Sequence, residues 1–462
     1  MIGIILIGTF FGLLLCRVPV AASMGLAAIA GMLHMGFKIS VFPTAFYAAI
    51  AKYTLLAIPF FILAGVIMDY AGISKRLINF ANACVGATPG GLAVVTIVAS
   101  MFFAAVSGSG SATAAAIGSI MIPAMVKRNY DIRFASATTA TAAQIGVIIP
   151  PSIPMVLYCV GTNSSISTLF IAGIIPGIMI GASLIIYSMF VSKKLGYAGD
   201  RKYSSSEKVK AFKEAIWALL MPLIILGGIY SGLFTPTEAA AVACAYAVIV
   251  ALFIYRDINA AQLSRIFYKA SIIVAVVMII LSAAGLFAYV LTMNRVPQMV
   301  ASFFLELGGN KYTFLIIVNI LLFFVGMFFD GGPAMIILAP ILAPVAVSLG
   351  IDPIHFGMIM VCNSALGQIT PPFGVNLFVV SQVANIKMEY MIRNLIPYIL
   401  IIIFDVLLVS YIPNISLGLP KLLGMHLHCR MKLPPYGGAI KIPRQSRGFF
   451  ICAYKALLLA AP

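Results

Sequence analysis

Charge is what this sequence has least of. Only 9% of its 462 residues are Asp, Glu, Lys or Arg, 62% are hydrophobic, and the mean hydropathy is +1.11. A water-soluble domain needs far more charge, so the chain reads as a polytopic helical membrane protein. A β-barrel would show short alternating segments in place of long apolar runs. There is no GxxxxGKS or GxxxxGKT stretch, so the chain supplies no ATP site and an ATP-driven pump would need a separate ATPase. Neither a Ser–His–Asp set nor a metal-spaced cluster occurs in the apolar runs, which sets hydrolytic catalysis aside. The seven Cys (16, 84, 159, 244, 362, 429 and 452) stand singly and read mostly as small apolar residues. Acidic residues number 12 against 29 Lys and Arg, a formal charge of +17. The basic residues sit in loops beside apolar runs, which is a topology signal and not a nucleic-acid footprint. No cleavable leader is evident: the first apolar run passes Arg17 into another and reads as helix one.

What is present is a succession of spans. Residues 171–191, 272–291 and 392–411 reach the length of about 20 residues that a spanning helix requires. Hydropathy predicts roughly ten full spans, over 2–15, 18–36, 54–72, 131–160, 165–192, 214–232, 236–255, 270–292, 353–384 and 390–415. Two further segments, 91–126 and 312–349, are apolar at both ends and broken in the middle, by Ser107-Gly108-Ser109-Gly110-Ser111 and by Asp330-Gly331-Gly332-Pro333. Each reads as a re-entrant helical hairpin, which preserves the charge topology. Irregular backbone at that depth is allowed where protein or water satisfies it. Arg17, Lys75-Arg76, Lys127-Arg128, Arg133, residues 193–213, Arg256, Lys269 and Lys387 then face one side, cytoplasmic by the positive-inside rule, and both chain ends face outward. Amphipathic stretches at 74–87, 258–269 and 296–307 suit either helices lying in the interface or ordinary loop helices.

A single offset of 221 superimposes GVIIPP (146–151) on GQITPP (367–372). The same offset carries Gly110 to Gly331, Ile120 to Ile341, Pro123 to Pro344 and Asp131 to Asp352. Helix breakers repeated at one spacing inside apolar sequence are the signature of a secondary transporter, whose site forms at mid-membrane from interrupted helices of two repeats. The fold expected is therefore an all-α polytopic membrane protein of two inverted five-span repeats, residues 1–192 and 214–420. Each holds a re-entrant hairpin (about 91–126 and 312–349) and a Pro-broken helix (about 131–160 and 353–384). Residues 193–213 form a polar cytoplasmic linker. Residues 421–462 hold seven Lys and Arg with no Asp or Glu, and read as a disordered basic tail with no transport role.

The most specific local motif is SGSGSATAAAIG, residues 107–118. A helix cannot persist through Ser107, Gly108, Ser109, Gly110 and Ser111 at low cost, so the backbone turns and frees carbonyls and hydroxyls. Oxygen-only ligands at a helix break suit a hard monovalent cation such as Na+. The competing role, a small-residue face for close helix approach, fits 112–118 better. FFDGGPA (328–334) is the counterpart, with Asp330, Gly331 and Gly332 at the break. An ionisable residue at mid-membrane is functional by default; Asp330 can ligate the cation, order the tip, carry a coupling proton or cap the helix. The double prolines remove donors and clash with the preceding turn. Unwinding there exposes carbonyls around Gly146, Pro150 and Pro151 and around Gly367, Thr370, Pro371 and Pro372, a simple kink being the plainer alternative. Tip plus broken helix gives one candidate cation site per repeat, with substrate between. No Lys or Arg lies mid-span. An anionic substrate is then held by helix N-termini, bound cations and groups such as Asn163, Asn363 and Asn376, with Arg17 and Arg295 at span borders the nearest fixed positive charges. Asp405, buried in LIIIFDVLLV (400–409), is open to a helix-contact role.

SGSGSATAAAIG, AQIGVIIPPSIPMVLY (143–158) and LGQITPPFGVNLFV (366–379) resemble the large membrane subunit of tripartite ATP-independent periplasmic (TRAP) transporters. This is the family of the C4-dicarboxylate and sialic-acid uptake systems, and the resemblance runs from about Met1 to Leu423. It implies Na+-driven import of a small carboxylate across the bacterial inner membrane by an elevator motion, with the hairpins and broken helices as the mobile domain. It implies no enzyme activity and no cofactor, Na+ being the coupling ion. The implied partners are a separate four-helix small membrane subunit, a periplasmic binding protein and membrane lipid, with no nucleic acid. A channel reading would need a continuous polar pore lining, which the sequence does not offer. The charge topology is open to direct test: a cysteine introduced within 193–213 is expected to stay shielded from impermeant thiol reagents in intact cells, and one at 308–310 to label. The opposite pattern inverts the orientation.

Overall fold

The computed structural model describes residues 2–425 except 39, 198, 200, 201, 297, 298, 300, 301, 303–309, 329 and 330. Among the described residues all regular structure is helical. The first half holds α1 (Ile2–Leu15), α2 (Val20–His34), α3 (Val41–Ile50), α4 (Ala57–Tyr70), α5 (Ile73–Val85), α6 (Gly91–Ser107), α7 (Gly110–Lys127), α8 (Ile132–Ala143), α9 (Ile153–Thr162) and α10 (Ile166–Lys194). The second holds α11 (Ser205–Tyr230), α12 (Pro236–Ile249), α13 (Ala260–Met293), α14 (Lys311–Phe328), α15 (Gly331–Ser348), α16 (Pro353–Gly367), α17 (Val375–Ala384), α18 (Met388–Tyr411) and α19 (Pro413–Leu422). Nine described helices are long and apolar enough to cross a membrane by length and composition.

The helix bounds follow the 221-residue offset. The arm starting at Gly110 and ending at Lys127 recurs as Gly331–Ser348, and the breaks after Ser107 and Phe328 correspond. Both arm pairs pack together as helical hairpins. The expected spans 131–160 and 353–384 are interrupted where the prolines fall, and both Pro150-Pro151 and Pro371-Pro372 bonds are cis. Even the caps repeat: Asp131 Oδ1 accepts from Arg133 N at 2.8 Å, and Asp352 Oδ1 accepts from Ile354 N at 2.8 Å.

Several expectations are revised. The stretch 258–269 is no separate element: a capping box, Asn259 with Gln262, starts α13, which runs unbroken for 34 residues. A second box, Ser204 with Glu207, starts α11 inside the expected linker, leaving about ten residues between helices. At 14 and 15 residues, α1 and α2 are shorter than a span of about 20. The stretch 74–87 does form a helix, α5, burying Ile73, Leu77, Ile78 and Ala81. Helix α3 was not foreseen, being apolar but too short for a span. Cys159, Cys244 and Cys362 are buried, whereas Cys16 and Cys84 are exposed. Residues 296–307, for the most part, and the tail beyond 425 lie outside the described residues.

Helices α1–α5 pack chiefly with α11–α13, and α6–α10 with α14–α19. Contacts of α6 with α4 and α5, and of α13 with α15, join the two groups. Within the second group buried hydroxyls bind the broken helices in place. Tyr398 Oη on α18 lies 2.8 Å from both Thr138 Oγ1 on α8 and Ser188 Oγ on α10, and Tyr158 Oη on α9 donates to Pro353 O at 2.6 Å. Hydrogen bonds between membrane helices contribute about 1 kcal/mol each. Tyr398→Phe is therefore expected to lower stability by roughly 1–2 kcal/mol, read from thermal unfolding of the purified protein, with membrane insertion unchanged.

Candidate functional site

At the first hairpin tip α6 ends because Gly108 turns left-handed (φ 61), a conformation that glycine adopts without a Cβ clash. Ser109 is extended and caps α7, its Oγ accepting from Ala112 N at 3.4 Å. Three oxygens then converge: Ser107 Oγ lies 3.1 Å from Thr113 Oγ1 and 3.4 Å from Ser109 O, and Thr113 Oγ1 donates to Ser109 O at 2.8 Å. The tip leans on the broken helix of its own repeat, where Gly108 O accepts from Ile153 N at 3.3 Å. A Cβ on Gly146 would stand 2.6 Å from Ser109 O and 2.7 Å from Thr113 Oγ1, and one on Gly108 would stand 2.6 Å from Pro151 O. The oxygen cluster exists because residue 146 has no side chain.

The same tip meets the other repeat. A Cβ on Gly110 would lie 2.6 Å from Gln368 Oε1 and 2.9 Å from Asn376 Nδ2. Asn376 is fully buried and neither atom of its amide has a hydrogen-bond partner among the described residues. A buried polar group in that position costs roughly 1–3 kcal/mol until something binds it. Gln144, in the 3-10 turn before the first double proline, is buried and unpartnered likewise. In the second repeat Gly331 packs on Ser364 and Gln368, and Gly367 packs backbone to backbone on Gly326 of α14. Thr370 Oγ1 donates to Leu366 O at 2.8 Å.

Both tips open on one cavity of about 380 Å³. Gly108, Ser109, Gly110 and Ser111 line it from the first tip, Gly332 and Pro333 from the second, with Gln368 beside them. The opposite wall is apolar, made by Ile273, Val276, Val277 and Ile280 of α13. Among the described residues no charged side chain lines the cavity. Two helix N-termini, those of α7 and α15, reach the cavity, and such ends carry about half a positive charge with free N–H groups. They are unequal, since Pro333 removes one N–H from α15. The carbonyl end of α6 lies next to the N–H end of α7, so sites for opposite charges adjoin.

The structure thus brings together Ser107, Gly108, Ser109, Gly110, Ser111, Gly146 and Pro151, and places Gly331 and Gly332 across the cavity. Asp330 lies outside the described residues. Asn163 and Asn363 do not belong here. Asn163 ends α9 with φ 55, and Asn363 donates to Asn319 Oδ1 at 2.7 Å, away from the cavity lining. Neither Arg17 nor Arg295 lines it. Asp405 Oδ1 accepts from Ser183 Oγ at 3.0 Å, a helix contact. Thr113, Gln144 and Gln368 are additions. Thr113 stands four residues after Ser109, the spacing of hydroxyl back-bonding, and both glutamines are amides within one or two residues of a motif glycine in apolar sequence.

Residues 7–415 match the family described as "Tripartite ATP-independent periplasmic transporter, DctM component". The chain is 45% identical, over 81% of its length and 87% of the relative's, to the C4-dicarboxylate TRAP transporter large permease protein DctM of Pseudomonas aeruginosa. It is 43% identical, over 89% of its length and 65% of the relative's, to the isethionate TRAP transporter permease protein DctMQ of Oleidesulfovibrio alaskensis. The crystal structure of the Alcanivorax borkumensis YdaH transporter shares the fold, with a TM-score of 0.63 over 84% of this chain and 89% of that one at 14% identity.

The close approach at Gly146 sets a test. Gly146→Ala puts a methyl into the oxygen cluster and is expected to destabilise by about 1–3 kcal/mol, the usual cost of overpacking. Gly12→Ala, inside α1 where a Cβ meets nothing within 4 Å, is expected not to destabilise, since Ala favours a helix over Gly.

Proposed function

We infer the function from one premise: this chain belongs to the tripartite ATP-independent periplasmic transporter family as its DctM component, the large membrane permease. Members reside in the inner membrane and work with a small membrane subunit and a periplasmic binding protein. On that premise we propose Na+-coupled import of a small organic acid, handed over by the binding protein.

The observation that carries the reading is the pairing of opposite helix ends at the first tip. The oxygens of Ser107, Ser109 and Thr113, beside the space that Gly146 leaves, suit Na+, a hard cation that takes oxygen ligands. The N–H groups at the start of α7 suit the carboxylate, with the Asn376 amide set against Gly110 behind them. Each charge lowers the electrostatic cost of the other in a cavity whose described lining carries no charge, so the acid binds well only when the cation is in place. In the second repeat Asp330 would play the cation-holding part that hydroxyls play in the first. The apolar face of α13 offers no directional bond, which suits a tip assembly that slides along it in an elevator motion. Two inverted repeats would bring both tips to the one cavity they line. The names of the relatives, C4-dicarboxylate and isethionate systems, fit a small anion in this class.

The test is uptake into proteoliposomes holding the permease and its small subunit, with binding protein outside, using succinate, isethionate and sialic acid. Uptake of one of these is expected to require an inward Na+ gradient; robust uptake in Na+-free buffer at fixed pH would sink the coupling. Asp330→Asn is expected to reach the membrane but to need severalfold more Na+ for half-maximal rate, since it loses the charge and keeps the shape. Unchanged Na+ dependence would leave Asp330 as a helix cap only.

A further inference from the structure

Two more cavities meet on the side that the charge topology makes the outside. One, of about 530 Å³, lies between α3 and α13 on one wall and α9 and α15 on the other. The second, of about 340 Å³, follows the turn from α9 to α10. Lys52, Val160 and Asn163 line both. The larger cavity continues the one at the hairpin tips. Along α13 the lining passes from Val277 and Ile280 to Leu281, Ala284 and Ala288, and Ile336 of α15 borders both. Steps of three and four residues keep to one face of a helix, so a single seam runs from the tips to Lys52.

Lys52 stands in extended backbone after α3, its side chain exposed. Among the described residues no acidic side chain lines either cavity. Glu238, two residues past the rim residue Pro236, is turned back on Thr235, accepting from its N and Oγ1 at 2.8 Å. An ammonium that has no acidic partner among the described residues, at a mostly apolar recess, concentrates anions, because low-dielectric walls focus its field. The cavity at the tips, by contrast, holds no fixed positive charge.

We propose that Lys52 and this double cavity form an outer vestibule that captures the organic anion before it reaches the hairpin tips. The proposal rests on the import reading for its purpose, and its first test does not. Val160→Cys in the full chain puts a thiol in the space that both cavities share. Its reaction with anionic sulfonatoethyl methanethiosulfonate is compared with that of the cationic trimethylammonioethyl reagent. Adding Lys52→Gln is expected to lower the anionic-to-cationic rate ratio about tenfold, the effect of one charge on two probes of opposite sign at close range. An unchanged ratio overturns the vestibule whether or not the protein imports acids.

The second test uses the proteoliposomes above, at saturating binding protein, with the acid that the unmodified chain takes up. Lys52→Gln is expected to cut initial uptake about tenfold and Lys52→Arg to hold it within about twofold. If only the half-saturating concentration of binding protein rises, Lys52 docks that protein and the capture of a small anion is overturned. Should the unmodified chain import none of the acids, the import reading falls, and the labelling ratio still decides the vestibule.

Discussion

A helix that stops inside an apolar interior strands carbonyls at its end and N–H groups at the start of the next one, and these must find partners. Here they find them in one another. Gly108 O takes the Ile153 N–H, Ser109 caps α7, and Ser152 Oγ donates to Val147 O at 2.6 Å while capping α9. The mutual repair works only at contact distance, which is why Gly108 and Gly146 have no room for a Cβ. Tip and broken helix are therefore joined by one such bond, Ile153 N to Gly108 O, while Ser109 and Ser152 cap the ends within each.

The two repeats share that geometry and divide the chemistry. Under the 221 offset Ser109 faces Asp330, Thr113 faces Ala334, Val147 faces Gln368 and Met155 faces Asn376. The first repeat brings hydroxyls and an unobstructed helix start. The second brings two amides, Gln368 and Asn376, and it is these that touch Gly110 of the first. The cavity is thus a joint product, with neither half holding a full set of polar groups.

What could be read from the sequence is what has a local cause. Gly, Ser and Pro act on their own backbone, so the helix breaks at 107–111, 146–151 and 367–372 were legible from the residues themselves. The capping boxes at Asn259 and Ser204 were legible in principle, but 258–269 reads as a separate amphipathic stretch and 193–213 as a polar linker, where the caps begin long helices. Partners distant in sequence were not legible. Nothing near Asn363 shows that Asn319 claims it, and nothing near Asn376 shows that it lies against Gly110. Thr113 and Gln144 look like ordinary residues of a helix until the tip folds onto the break.

Helix α13 runs 34 residues, or about 51 Å at 1.5 Å per residue, against a hydrocarbon layer of about 30 Å. Such a rod must lean, emerge from the bilayer, or both. Its first turns carry Arg265 and Lys269, the latter bonded to Tyr70 Oη at 3.0 Å, and a few turns on the same rod presents the apolar wall of the cavity. With no break between them, the charged end and the wall cannot move independently. A tilt imposed at the charged end is therefore carried along the rod to the cavity wall.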